Sequence, residues 1–322
     1  MKIASFIYRQ YLASRGLKKK IWFLVRKTVI KLLNDPTCSM PIHGRRLKLP
    51  LSHALPDYLQ NHSFYDRLPQ RICEYIHQKQ EHLHCIDVGA NIGDTIASFY
   101  QDDRDTFLAI EPHSKFYQFL VENWGGKNNI TFVPEICSSG NSKATFVIQE
   151  QNGTASILPS EGGKKMSTRP LDDIVNDYPF AEKTNVLKID TDGHDFEVIQ
   201  GSIGLLSKCQ PMVLFECDSF IDTDYVENCL KTLHIFKQFG YKHFLLYDNF
   251  GYLMGKYSLS DLAPFMNLLF YQLTSNFYYF DILVLREEDM VDFYKLEINC
   301  FLEKCCSGAV GAIGHYKVPA CA

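Results

Sequence analysis

The feature that most constrains the fold is a short apolar strand that runs directly into a glycine loop. Residues 82–88 predict the strand, and the loop follows as Asp87-Val88-Gly89-Ala90-Asn91-Ile92-Gly93-Asp94. Glycines just beyond a strand let the backbone approach a ligand with no Cβ in the way. In an open α/β sheet, ligands bind at this end of the strands. The Gly-x-x-x-Gly spacing differs from the Gly-x-Gly-x-x-Gly of dinucleotide-binding folds, so a pyrophosphate is not the expected ligand.

Strand and helix patterns alternate through most of the remaining chain. After the first strand, further strands are predicted at residues 106–110, 129–133, 185–189, 211–217, 242–247 and 279–285, with helices between most of them. This alternation predicts a mainly parallel, seven-stranded α/β sheet with helices on both faces. Residues 144–148 predict an extra strand or hairpin, and the polar stretch 152–156 is either its turn or a contact to a substrate.

An acid follows the loop at an informative distance. Glu111 ends the second strand, one strand-helix-strand unit after Asp87. A carboxylate at this position can accept hydrogen bonds from both hydroxyls of a ribose. Asp87 suits the ammonium group of an amino acid. The loop and the acid together favour a nucleoside joined to an amino acid, S-adenosylmethionine, over a tight turn without a ligand.

Several segments in order resemble the FkbM family of class I methyltransferases. They are DVGANIGDT at 87–95, IEP at 110–112, RPLDDI at 169–174, LKIDTDGHDFEVIQG at 187–201 and PMVLFE at 211–216. The resemblance implies a Rossmann-like sheet with a reversed final strand pair and methyl transfer from S-adenosylmethionine, usually to a hydroxyl of a sugar or polyketide. It also implies a set of cofactor-binding residues: Asp87, Gly89, Ala90, Asn91, Gly93, Asp94, Glu111 and Cys137. Asp192 stands where many members of the family carry glutamate.

A second polar loop follows the strand at residues 185–189. Strand alternation places Lys188 and Asp190 on one side, and the loop continues with Asp192 and His194. A sugar hydroxyl has a high pKa, so its methylation benefits from a general base. Asp190 is the first candidate for this base, His194 is the second, and Lys188 would hold Asp190 or a developing alkoxide. Alternatively, Lys188 and Asp190 form a structural ion pair, and His194 caps the next helix.

The remaining site predictions concern a metal ion and the acceptor. Asp190, Glu216 and Asp218 lie at the ends of neighbouring strands and could hold Mg²⁺ through oxygen ligands. Alternatively, Glu216 binds substrate hydroxyls together with Asp192, Thr154 and Tyr65, the last from a lid. The expected acceptor is a sugar in a glycan, glycolipid or glycosylated metabolite. N- or C-methylation of a small metabolite, or cofactor and partner binding without catalysis, stays open.

The first 34 residues form a basic segment. They contain nine Lys/Arg residues and no acid, although the whole chain has a net charge of −4. Apolar residues recur there at helical spacing, which predicts a basic amphipathic arm that lies on an anionic membrane or packs on protein. The near-neutral total charge argues against a nucleic-acid partner. No secretory signal is evident, and the eleven cysteines indicate reduced thiols. We therefore expect a cytoplasmic protein, peripheral to the inner face of a membrane if the arm binds lipid.

These patterns divide the chain into four parts. Residues 1–34 are the arm, 35–80 are a helical and loop extension that could act as a lid, and 81–300 are the methyltransferase domain. Residues 301–322 are rich in Gly and Ala and predict a flexible tail. Homo-oligomerisation stays open.

Overall fold

The computed structural model describes residues 1–151, 153–159, 164–219, 224–275 and 279–308. The helices, in chain order, are α1 (Lys2–Ala13), α2 (Gly16–Leu32), α3 (Leu55–Asn61), α4 (Leu68–Lys79), α5 (Asp94–Phe99), α6 (Ser114–Trp124), α7 (Leu171–Asn176), α8 (Asp195–Gln200), α9 (Ile203–Cys209), α10 (Tyr225–Gln238), α11 (Ala263–Thr274) and α12 (Glu287–Gly308). The strands are β1 (Thr37–Ile42), β2 (Arg45–Pro50), β3 (His84–Val88), β4 (Thr106–Ile110), β5 (Ile130–Val133), β6 (Ile136–Ser138), β7 (Ser142–Gln151), β8 (Thr154–Pro159), β9 (Lys164–Pro170), β10 (Val186–Ile189), β11 (Met212–Asp218), β12 (His243–Asp248), β13 (Leu253–Ser258) and β14 (Tyr279–Val284).

The central sheet is mixed and has the strand order β13-β12-β14-β11-β10-β3-β4-β5. The strands from β11 to β5 are parallel, whereas β14, β12 and β13 run antiparallel to their neighbours. The expected parallel core and reversed pair are present, but the sheet has eight strands rather than seven. The additional strand is β13 at the edge, whose half-exposed sequence with Gly255 and Lys256 at its centre is a weak strand pattern.

The inner strands are apolar because both of their faces are covered. Each residue of β10 is buried, as are the last four residues of β3 and β4. One face packs with α8, α10 and α11, and the other with α4, α5 and α12. Alternation places Asp87 and Lys188 on the second of these faces, where the register makes them direct neighbours. A buried polar pair therefore lies near the carboxyl ends of otherwise apolar strands.

A smaller sheet has the order β6-β9-β7-β8. The expected hairpin after residue 142 is confirmed, because β7 and β8 pair antiparallel and close at Gln151 and Thr154. Its side chains from residue 146 to 151 and from 154 to 159 lie outside the described part of the chain. Gly153 is described, and its carbonyl accepts a hydrogen bond from the side-chain amide of Asn91 at 2.8 Å. The hairpin turn therefore reaches the glycine loop.

The N-terminal segment consists of two helices rather than one continuous arm. Ala4, Tyr8 and Tyr11 of α1 are buried against the β1–β2 hairpin. In α2, only Arg26 is buried. The extension at 35–80 contains this hairpin, which the sequence did not predict, as well as α3 and α4. The arm thus packs on the body through α1 and leaves most of α2 exposed.

The last described element is α12, which crosses the domain boundary expected at residue 300. Its Glu297 carboxylate forms a buried, two-pronged ion pair with Arg71 of α4, at 2.6 and 2.9 Å. Tyr247 of β12 also donates a hydrogen bond to Glu297, at 2.9 Å. These contacts join α12 to the sheet, and the helix continues to Gly308, beyond the expected boundary. Residues 309–322 of the predicted tail lie outside the described residues. Within the described part, none of the helices has the combined length and apolar character needed to cross a bilayer.

Candidate active site

The glycine loop is held in a left-handed conformation against the ends of two strands. Gly89, Asn91 and Gly93 have φ angles of +80°, +47° and +82°. The amides of Gly89 and Ala90 both donate to the Ile110 carbonyl, at 2.9 and 3.0 Å. A Cβ on Gly89 would lie 1.7 Å from the backbone oxygen of Asp190. Glycine is therefore required there by the backbone angle and by the close approach of β10.

Glu111 is anchored by the backbone at the end of β4. Its two carboxylate oxygens accept hydrogen bonds from the amides of Asn91 and His113, at 2.8 and 2.7 Å. The side chain is buried, and burial outweighs these hydrogen bonds and raises the pKa of Glu111 to about 7. Each oxygen has a second lone pair, so the carboxylate retains the capacity to accept from a ligand.

The main cleft opens above these residues, and the empty space in it, counted out to open solvent, is about 950 Å³. Most of the predicted residues line it, namely Gly89, Asn91, Asp94, Glu111, Cys137, Tyr65, Lys188, Asp190, Asp192 and His194. Ala90 and Gly93 do not, because Ala90 is buried and Gly93 packs against Trp124. They shape the loop rather than the surface of the cleft.

Asp87 lies beneath the cleft, in a buried chain of charges. The Lys188 ammonium is 3.3 Å from a carboxylate oxygen of Asp87 and 3.1 Å from one of Asp190. Burial alone would lower the pKa of Lys188, but Asp190, Asp87 and Asp94 together raise it well above its ordinary value. The two ion pairs therefore favour the charged ammonium of Lys188, which holds Asp190 in place. Asp87 is fully buried and does not line the cleft, so its visible partner is Lys188 rather than a cofactor ammonium.

The loop after β10 is held by Asp195, which the sequence analysis did not single out. One Asp195 oxygen accepts from the amide and hydroxyl of Thr191, at 3.1 and 2.7 Å, and the other accepts from the Glu216 amide at 3.0 Å. Asp192 has a φ of +51°, a conformation that aspartate tolerates better than longer side chains do. This explains why aspartate suits the position where the family often has glutamate. His194 precedes α8 without a side-chain capping bond to it.

A second cavity of about 660 Å³ adjoins the main cleft. The two share Tyr65, Asp94, Lys188 and Asp190, whereas Glu216, Tyr279 and Asp281 line only the second. The strand register places Glu216 directly opposite Asp281. Burial, followed by the nearby Asp190 carboxylate, raises the pKa of both groups well above the ordinary values. Burial and the neighbouring carboxylate therefore favour the protonated, neutral forms of these two carboxyls.

The described residues do not gather the expected metal ligands. Among them, the group of three side chains close enough to share an ion is Cys73, His77 and Asp105, outside both cavities. In that group, Asp105 already accepts hydrogen bonds from His77 at 2.7 Å and from the Leu83 amide at 2.9 Å. Asp190, Glu216 and Asp218 do not form such a group, and Asp218 lines neither cavity. The donor set for Mg²⁺ is therefore incomplete in the described part of the chain.

Some residues of the site were not predicted, although Asp281 left a signal. Tyr279 and Asp281 alternate along a strand of otherwise apolar residues, and half-buried polar residues at a strand end indicate function. His53 and Tyr58 of the N-terminal extension also line the main cleft. Tyr65 was the residue predicted from that extension, and it lies at the junction of the two cavities. The side chain of Thr154 lies outside the described residues.

The ionisation of Glu111 makes cofactor affinity pH-dependent. Above a pH of about 7 Glu111 is a carboxylate and can accept from two hydroxyls, whereas below it the neutral acid has lost acceptor capacity. We expect the affinity for S-adenosylhomocysteine to fall by up to about tenfold per pH unit below 7. Calorimetry across this range measures the effect. Asp94 titrates near the same pH, so Glu111→Gln and Asp94→Asn are compared: only the first should flatten the profile, and an unchanged profile in Glu111→Gln would contradict the assignment.

The residues of the main cleft fit S-adenosylmethionine. Glu111 is positioned for ribose hydroxyls, Gly89 and Asn91 form a close backbone wall, and the segment Ile136–Cys137 supplies a largely apolar side for adenine. Lys188 and Asp190 lie where the cleft meets the second cavity. The Gly-x-x-x-Gly loop does not have the dinucleotide spacing.

Comparisons with known proteins agree with this assignment. Residues 87–243 match the family model described as the methyltransferase FkbM domain. Among solved structures, methyltransferase FkbM from Methylobacillus flagellatus is 17% identical, with 51% of this chain and 40% of that chain covered and a TM-score of 0.37. Precorrin-6y C5,15-methyltransferase from Geobacter metallireducens is 11% identical, with 68% and 87% covered and a TM-score of 0.35.

The family assignment depends on the sequence match alone. Structural similarities as low as these carry no argument about activity, and this chain spans well under half of the Methylobacillus protein. No protein with a curated description matches the chain in sequence. The matched segment contains the glycine loop, Glu111, the Lys188–Asp190 pair and Glu216. Over residues 87–243, the chain therefore matches the methyltransferase FkbM domain.

Proposed function

We propose that the protein transfers the methyl group of S-adenosylmethionine to a hydroxyl oxygen of a sugar. The observation that carries the proposal is the position of Asp190, which lines both the main cleft and the second cavity. A group at this junction can contact an acceptor in the second cavity while a methyl donor occupies the main cleft. Lys188 holds its carboxylate from below at 3.1 Å.

The second cavity has the chemistry expected for a polyol. A sugar presents several hydroxyls, and each loses its hydrogen bonds to water on binding. Asp66, Glu216, Asn249 and Asp281 supply polar side chains around the cavity, and the raised pKa values of Glu216 and Asp281 favour the protonated carboxyls, which donate as well as accept. Tyr65 and Tyr279 add aromatic surface, which packs against the apolar face of a sugar ring. This composition favours a sugar over an apolar metabolite.

Asp190, Lys188 and Tyr65 have separate roles in the proposed methyl transfer. S-adenosylmethionine supplies a methyl group that is already activated by its sulfonium. Asp190 accepts the hydroxyl proton while the oxygen forms its bond to the methyl carbon and the carbon–sulfur bond breaks, which leaves S-adenosylhomocysteine and a methyl ether. Lys188 stabilises negative charge on the acceptor oxygen. Tyr65 covers the junction and limits the access of water.

A labelled-methyl assay tests this proposal. The full chain is incubated with S-adenosylmethionine that carries a tritiated methyl group, together with sugar nucleotides, glycolipids, nucleic acid or protein in separate reactions. We expect label in a carbohydrate fraction, in a linkage that survives the mild alkali that cleaves methyl esters. Label confined to protein or nucleic acid, or released from the sugar by that treatment, would show that the acceptor group is not a sugar hydroxyl.

A further inference from the structure

Helix α2 presents to solvent a stripe of large apolar side chains that is interrupted by Thr28. Leu17, Ile21, Leu24 and Leu32 are 75%, 52%, 62% and 75% exposed. With about 100° of rotation per residue, these positions fall on one face of the helix. Scattered exposed leucines are ordinary, whereas a contiguous exposed apolar face indicates an interaction surface.

Lysines flank this stripe on both sides. Lys18 lies on one side, and Lys20, Lys27 and Lys31 lie on the other, all of them exposed. The first acid in the chain is Asp35, after the end of the helix. The face therefore combines an apolar centre with a border that carries positive charge only.

The opposite side of α2 is fastened to the body, so the stripe points outward. The guanidinium of Arg26 donates to the carbonyls of Leu51, Ser52 and His53, at 2.8, 2.9 and 3.0 Å. Lys19 forms an ion pair with Asp57 of α3 at 3.1 Å. Because this attachment uses the only buried residue of α2, the helix cannot turn its apolar stripe inward without losing it.

We propose that this face of α2 docks on an anionic lipid surface. Apolar side chains flanked by lysines match the boundary between acyl chains and anionic headgroups, where both groups are satisfied at once. A second copy of the chain fits less well, because a symmetric contact through this face would bring the two lysine borders together. The cytoplasmic leaflet carries such lipids, which agrees with the location expected from the sequence.

Docking of α2 also positions the active site. Arg26 holds the carbonyl of His53, and Lys19 holds α3, and both His53 and Leu55 of α3 line the main cleft. A chain bound through α2 therefore holds its cleft near the membrane, where the sugar of a lipid-linked acceptor is within reach. The docking surface itself does not depend on the proposed reaction.

Vesicle co-sedimentation of the full chain tests the proposal without cofactor or acceptor. The probes are vesicles of phosphatidylcholine alone and vesicles that also contain phosphatidylglycerol. We expect binding to the anionic vesicles only, weakened by salt. Leu17→Ser with Leu24→Ser should weaken binding roughly a hundredfold, since each buried leucine contributes about a factor of ten. Lys20→Gln, Lys27→Gln and Lys31→Gln together should weaken it roughly fivefold for each lysine.

The control replaces apolar residues of similar exposure elsewhere. Phe270 and Leu273 of α11 are 48% and 50% exposed, so Phe270→Ser with Leu273→Ser should leave vesicle binding unchanged. Point variants are preferable to deletion of the arm, because deletion would also remove Tyr8 and Arg26 from the body. Equal binding by the α2 serine variant and the wild type would overturn the proposal. Failure of the wild type to bind anionic vesicles would also overturn it. So would a serine variant of α2 that lowers the oligomeric mass in solution without changing vesicle binding, because that result would assign the face to contact with a second copy of the chain.

Discussion

Asp190→Asn is expected to lower kcat by roughly 10²- to 10⁴-fold while leaving the affinity for S-adenosylhomocysteine within about twofold of wild type. Asparagine keeps the size of the side chain but cannot accept a proton as a carboxylate does. Asp190 is 3.1 Å from Lys188 and lies at the border of the second cavity. Its loss should therefore affect the acceptor side rather than the cofactor. Initial rates with labelled methyl donor, together with calorimetry, separate the two effects.

The control for this variant is an exposed carboxylate outside both cavities. Asp261 accepts a hydrogen bond from the Ala263 amide at 3.2 Å near the start of α11. Asp261→Asn should leave both kcat and cofactor affinity unchanged. If Asp190→Asn turned over at the rate of wild type, Asp190 would be removed from proton transfer, and His194 would become the next residue to test.

Gly89→Ala is expected to abolish cofactor binding and to destabilise the fold by at least about 2 kcal/mol. The added Cβ would lie 1.7 Å from the Asp190 backbone oxygen, and the φ of +80° is strained for any residue with a Cβ. A backbone carbonyl cannot rotate aside as a flexible side chain can. The loop after β3 and the end of β10 must therefore separate, which displaces both Glu111's partner Asn91 and the Asp190 carboxylate.

Gly126→Ala is the matched control, because a Cβ there meets nothing within 4 Å. We expect its free energy of unfolding to stay within about 0.5 kcal/mol of wild type. Urea unfolding measures both stabilities, and calorimetry measures binding of S-adenosylhomocysteine. Normal binding by Gly89→Ala would mean that the glycine loop does not form the wall of the cofactor cleft.

The cofactor side of the site was predictable because its geometry is local. A strand, a loop, a helix and the next strand bring Gly89 and Glu111 together over 22 residues, and the spacing itself carries this information. The role of Asp87 was less predictable. Its nearest charge is Lys188, which is contributed by a strand about a hundred residues later and becomes a neighbour only through the register of β3 and β10.

The proposed acceptor side could be predicted only in part. Glu216 and Asp281 face each other because β14 pairs antiparallel with β11. The spacing of residues in the sequence does not predict that pairing. Tyr65 comes from the N-terminal extension, far from both strands. The β1–β2 hairpin and the edge strand β13 were not predicted for a related reason. Their short runs of mixed polar and apolar residues become recognisable as strands only when the paired strand is known.

The arm illustrates the difference between pattern and packing. Its apolar residues occur at helical spacing in both α1 and α2, yet α1 buries several of them fully, whereas the apolar residues of α2 are partly buried or exposed. The alternatives stated for this segment were contact with a membrane and packing on protein; α1 packs on the body, and membrane contact stays a prediction.

The central claim is that the cleft beside the β3 glycine loop holds S-adenosylmethionine with Glu111 on the ribose. Calorimetry of the full chain with S-adenosylhomocysteine tests it most directly, with NAD as the competing nucleotide and Glu111→Gln as the variant. We expect S-adenosylhomocysteine to bind far more tightly than about 1 mM, roughly −4 kcal/mol, with NAD not bound and the variant at least about tenfold weaker. Absence of S-adenosylhomocysteine binding at that concentration, or equal binding of NAD, would contradict the claim.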